Sequence, residues 1–153
     1  MEVKEIRIFP NSQKLEFKSK DELNNYIRED LRTSKRKGRY NFRRFRSVKL
    51  ISPGSIALFR FADAILGWGA VREKAVYEPF DDEESEQHYE GYIMFRPETV
   101  KAFKKPLSVK DLEAITGMVF HYKDNFNTGR SYYKIPFKFR NRIKEWVESI
   151  EGV

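Results

Sequence analysis

The stretch Pro53-Gly54-Ser55-Ile56-Ala57-Leu58-Phe59-Arg60-Phe61-Ala62-Asp63-Ala64-Ile65-Leu66-Gly67-Trp68-Gly69-Ala70-Val71 decides the reading of the fold. A Pro-Gly turn opens it. The apolar run Ser55 to Phe61 is too short for a typical helix and reads as a strand. Ala62-Asp63-Ala64 is a tight reversal. A second strand then runs from Ile65 to about Tyr77, so the two form an antiparallel hairpin.

Working outward, Tyr89 to Phe95 reads as another strand, after an acidic polar loop from Pro79 to Glu86. Pro97 and Pro106 bracket an irregular segment. On the other side, Val48 to Ile51 reads as a strand end or as the approach to a turn at Ser52-Pro53-Gly54, and Val3 to Phe9 as a short strand stopped by Pro10-Asn11. Ser19-Lys-Asp-Glu22 has the form of a capping box. Leu23, Tyr26, Ile27 and Leu31 then share one helical face. Ser108-Val-Lys-Asp111 opens a short helix that Gly117 stops, with Leu112 and Ile115 inward. Val119-Phe120 and Tyr132 to Ile135 read as brief strands around a polar loop. Pro136 begins a last helix with Phe139, Ile143, Trp146, Val147 and Ile150 on its apolar face. The expected architecture is α+β: a small mixed or antiparallel β-barrel of about five or six strands flanked by helices.

Length supports one domain over residues 1–153, because a single core commonly takes about 100–200 residues. The absence of cysteine excludes a disulfide scaffold, a thiolate zinc site and a cysteine nucleophile. No apolar run approaches the roughly 20 residues of a membrane span, and the acidic start Met1 to Glu5 is unlike a secretory signal. A cytoplasmic location is the expectation, with no membrane partner.

The net charge of +7 is unevenly placed. Arg32, Lys35, Arg36, Lys37, Arg39, Arg43, Arg44, Arg46 and Lys49 fall in one 18-residue stretch with no acidic residue. The rest of the chain carries 21 basic and 23 acidic residues. Tyr40, Phe42 and Phe45 are threaded through the same stretch. Cations can follow a phosphate backbone while rings stack on exposed bases, so nucleic acid is the expected partner. The competing explanations are a solvated basic face, or an acidic protein or lipid partner.

From Pro53 onward the order of features resembles the PUA-like superfamily. The features are the Pro-Gly turn, Ile56 to Phe59, Ile65-Leu-Gly-Trp-Gly-Ala-Val71, the acidic loop, Tyr89 to Phe95, Pro106 to Leu112 and Tyr132 to Pro136. The likeness is to its EVE/YTH-like barrels, in particular to the N-terminal domains of McrB-type modification-dependent restriction systems. It covers about Pro53 to Ile150 and rests on order and spacing. It implies a reader of methylated double-stranded DNA that flips one base into an aromatic pocket. It also implies that catalysis resides in a fused or separate AAA+ motor and nuclease. An RNA reader on the same fold is the alternative; a small nucleic-acid enzyme and a protein-interaction module stand behind it.

Trp68 lies between two glycines, which leave a strand surface bare for a ligand or for another backbone, so it is either a pocket wall or a core side chain. Tyr40 and Phe42 are further stacking candidates, Asn41 could read a base edge, and Tyr89 is one of several strand tyrosines that could complete the cage. Arg32, Lys35, Arg36, Lys37, Arg39, Arg43, Arg44 and Arg46 are the backbone-contacting candidates, with Arg130 a weaker one. His88 and His121 have no metal-binding spacing, and the acidic run Asp81 to Glu86 lacks an EF-hand pattern, so no metal or other cofactor is expected. No phosphate loop, nucleophile elbow or dinucleotide motif is present, and this chain alone is expected not to be an enzyme.

Overall fold

A computed structural model describes residues 2–11, 17–119 and 133–153. In chain order the main elements are β1 (Ile6–Pro10), α1 (Lys20–Asn25), β2 (Arg39–Phe42), β3 (Ile56–Phe61), β4 (Ala64–Ala70), β5 (Val76–Asp82), β6 (Gln87–Met94), β7 (Lys101–Ser108), α2 (Val109–Thr116) and α3 (Arg140–Ser149). The strands form two sheets, ordered β1-β3-β4-β7 and β2-β6-β5. The α+β class holds. The barrel does not close, and there are seven strands among the described residues where five or six were expected. Among those residues the sheets meet edgewise only through an isolated Val71–Phe95 bridge.

The decisive stretch folds as read. β3 and β4 pair antiparallel around the reversal, with Ala62 at a φ of 54°. All six residues of β3 are buried because that strand is covered on both faces. Ala57, Phe59 and Phe61 face a first core with the side chains of β2 and β6. Ile56 and Leu58 face a second core with α2 and α3. The layers therefore run from the second sheet, through the first sheet, to the two helices. β1 lies parallel to β3, so the first sheet is mixed.

The first core centres on four rings, Phe9, Tyr40, Phe59 and Phe95. Their centroids lie 5.4 to 6.1 Å apart, mostly edge to face, a favourable arrangement for aromatic quadrupoles. Leu23, Ile27 and Leu31 close this core from the first helix. Ser19 accepts from the Glu22 amide, as a cap requires. The Glu22 carboxylate takes the Lys18 amide, so only half of the expected box forms. α1 runs directly into a π-helical turn, Tyr26–Leu31, in which the Arg32 amide donates five residues back to Ile27. In α2 both halves of the box are present, and Gly117 ends the helix at a φ of 71°.

Two strand expectations change, and one resolves to its alternative. Val48 to Ile51 is the approach to a turn rather than a strand end: Val48 to Leu50 is turn structure following a 3-10 turn, and the segment buries Val48 and Ile51. The strand expected from Ile65 to Tyr77 ends at Ala70, and β5 begins at Val76. Half of the acidic loop is therefore β5 itself. The segment between Pro97 and Pro106 is mostly β7, on the sheet edge, where a proline lacking its N–H is tolerated. Val119 is in no strand. Phe120, His121, the Lys123 to Gly129 loop, Arg130 and Tyr132 lie outside the described residues.

Candidate nucleic-acid interface

Strand alternation sorts the basic stretch onto two sides of the second sheet. In β2, Tyr40 and Phe42 point into the first core, so Arg39 and Asn41 point outward. The same parity in β6 turns Tyr89 and Ile93 inward, and Glu90, Tyr92 and Met94 outward. Asn41 stands opposite Tyr92, and Arg39 opposite Met94. The Arg39 guanidinium lies over the Tyr92 ring, 3.9 Å from its centroid.

At the end of the second sheet a cavity of about 240 Å³ opens. It is lined by Tyr26 of the π-helical turn, Tyr40 and Asn41 of β2, Tyr89 of β6, Phe17, Arg36, and Asp82, Glu84 and Ser85 of the β5–β6 hairpin. Four residues singled out from sequence thus meet here: Arg36, Tyr40, Asn41 and Tyr89. Tyr40 is only the floor. It is 3% exposed, its ring stacks on Phe59, and its hydroxyl donates to the Asn11 side chain at 2.9 Å. Tyr89 is likewise buried, with Phe80 stacked against it at 5.4 Å. The partly buried Phe17 and Tyr26, 5.2 Å apart, supply the more accessible ring surface. The Asn41 side-chain oxygen is buried without a hydrogen-bond partner.

Two stacking candidates fall elsewhere. Trp68 is in the second core, among Ile6, Leu58 and Leu107, on the face of the first sheet away from the cavity. Its flanking glycines make room for neighbouring protein atoms. A Cβ on Gly67 would lie 2.4 Å from the Lys101 carbonyl oxygen, and one on Gly69 would crowd Val100 and Phe95. Phe42 is fully buried beneath Gly91 and does not line the cavity.

The basic side chains are largely unneutralised. Of the nine from Arg32 to Lys49, only Lys35 pairs with a carboxylate among the described residues, at 3.3 Å from Asp30. Arg32, Lys37, Arg44, Arg46 and Lys49 are exposed. Arg36 sits 5.9 Å from the Tyr26 ring centre, at the cavity wall. Sequence reasoning missed Tyr26, which its helical spacing assigned to the core. It also missed Asp82, Glu84 and Ser85, which looked like a solvated loop. Only tertiary structure brings that hairpin tip to residues near 17, 26 and 36, so no local signal marks it.

His88 and Asp81 pair at 2.8 Å on the exposed hairpin. Among the described residues no group of His, Asp and Glu side chains is arranged to hold a metal ion. No helix there is long and apolar enough to cross a membrane. No protein-family model matches the chain, and no curated protein matches it.

Proposed function

We propose that the chain is a non-catalytic nucleic-acid-binding module that takes one methylated base, flipped out of DNA, into the cavity beside Tyr26. The observation that carries this reading is the junction of two features. A ring-lined cavity opens next to a cationic segment of which, among the described residues, only Lys35 pairs with a carboxylate. At about 240 Å³ the cavity is smaller than the roughly 300–1,000 Å³ of drug-sized sites, and it suits a single planar ring. Asp82 and Glu84 make its rim hostile to a phosphate yet able to accept from a base amino group. The phosphates are left to Lys37, Arg44 and Arg46 outside. The PUA-like likeness agrees with this arrangement and adds the expectation of a partner motor and nuclease that would use the module for target choice.

The test is a binding comparison between duplexes that differ by one methyl group, with matched RNA included. At least tenfold preference for a duplex carrying N6-methyladenine or 5-methylcytosine is expected. Tyr26→Ala and Asn41→Ala should each reduce that preference. Equal affinity for all modified and unmodified duplexes would overturn the reading, and a preference for methylated RNA would move it to the RNA alternative.

A further inference from the structure

The outer face of the second sheet carries Arg39 of the basic stretch, and the cavity touches it at Asn41. Tyr92 occupies the central strand of that face, because β6 lies between β2 and β5. Arg39, diagonal to it across the β2–β6 ladder, stacks on its ring at 3.9 Å. Arg43, in the bend just after β2, makes no ion pair among the described residues; its Nε is buried without a hydrogen-bond partner. On β6, the Glu90 carboxylate accepts from the Phe45 amide at 2.7 Å. His88 holds Asp81 farther along the same face. The result is a cation-capped tyrosine on an open sheet, bordered by arginine.

We infer that this face is a second nucleic-acid contact, a stacking platform for unpaired nucleotides flanking the base held in the cavity. Guanidinium groups and aromatic rings together form the sequence-tolerant surface that single strands bind. β2 is an edge strand, with Tyr40 beneath it at the cavity and Arg39 above it at Tyr92. A strand leaving the cavity past Asn41 turns around that edge to reach Tyr92. A single strand can make this turn, whereas a stiff duplex cannot follow it. The inference rests on the nucleic-acid reading of the cavity but not on any methyl preference.

The experiment measures affinity for single-stranded DNA of about 5 and about 15 nucleotides, within the range of known single-strand site sizes. The expected result is that Tyr92→Ala weakens the long oligonucleotide at least fivefold and leaves the short one unchanged. Tyr92→Phe should bind like the native protein. Arg39→Gln should also weaken the long oligonucleotide, and it decides the matter if Tyr92→Ala does not fold. If the native protein binds both lengths and neither Tyr92→Ala nor Arg39→Gln changes the long one, the platform is overturned and the cavity reading stands. If the native protein binds no nucleic acid of either length and no methylated duplex, both fall.

Discussion

The Tyr40 hydroxyl donates to the Asn11 side-chain oxygen at 2.9 Å, and both residues are buried. The Asn11 amide in turn donates to the Phe9 and Arg60 carbonyls, each at 3.2 Å. This network ties β2, in the second sheet, to the ends of β1 and β3 in the first. It also fixes the floor of the cavity. Removing the hydroxyl leaves a buried acceptor unsatisfied, which costs about 1–3 kcal/mol. Tyr40→Phe should therefore lower the urea midpoint by that equivalent with no change in slope. Asn11→Ala combined with Tyr40→Phe should cost less than the sum of the two single changes.

Trp68 supplies a contrasting case. It fills the second core, so Trp68→Ala should destabilise by about 3–5 kcal/mol in chemical denaturation. Trp68→Phe should fold and keep native affinity for nucleic acid. Loss of binding in a folded Trp68→Phe protein would show that the second core communicates with the interface.

The unpaired cations set the salt response. If about six of them neutralise phosphates, log K should fall with a slope near −5 against log salt. Arg44→Ala with Arg46→Ala should weaken modified and unmodified duplexes alike and flatten that slope by about 2. A slope near zero would point instead to a protein partner.

Lys101 links pH to stability. Its ammonium donates to the Ile150 and Glu148 carbonyls at the end of α3, at 2.5 and 3.3 Å. Desolvation by burial holds its pKa below the ordinary 10.5, and the Glu148 charge opposes that shift. Between the lowered folded value and 10.5 the unfolded chain binds more protons than the native one, so this group makes stability rise with pH there. Below the folded value its contribution is constant. Urea midpoints of native and Lys101→Met proteins, followed into the alkaline range, should differ in slope by this amount. A parallel pair of curves would show that Lys101 titrates alike in both states.

Where the chemistry is local, the sequence could be read directly. The α2 cap at Ser108 and Asp111 and the stop at Gly117 are short-range hydrogen-bond patterns, and they form as expected. The β3–β4 hairpin was equally plain, since its apolar run is buried on both faces. β5 and β7 were hidden because both are edge strands carrying proline, and edges tolerate residues that disguise a strand. Closure into a barrel or separation into two sheets depends on how Val71 approaches Phe95, which no periodicity encodes. The cavity was half visible: the basic stretch pointed to Arg36, Tyr40 and Asn41, but the acidic hairpin tip joins them only through the fold.

Gly38 carries a consequence for information as much as for energy. Its φ of 85° and its place against Phe95, where a Cβ would come within 2.1 Å of the carbonyl oxygen, exclude any other residue without strain. Its carbonyl accepts from the Phe95 amide at 2.7 Å, and its own amide donates to Leu31 at 2.8 Å. Those contacts set the phase of the four residues that follow. A slip of one position would send Tyr40 and Phe42 into solvent and turn Arg39 and Asn41 toward the aromatic core. One glycine thus acts as the parity bit of β2, deciding which half of an alternating message is kept inside and which is displayed.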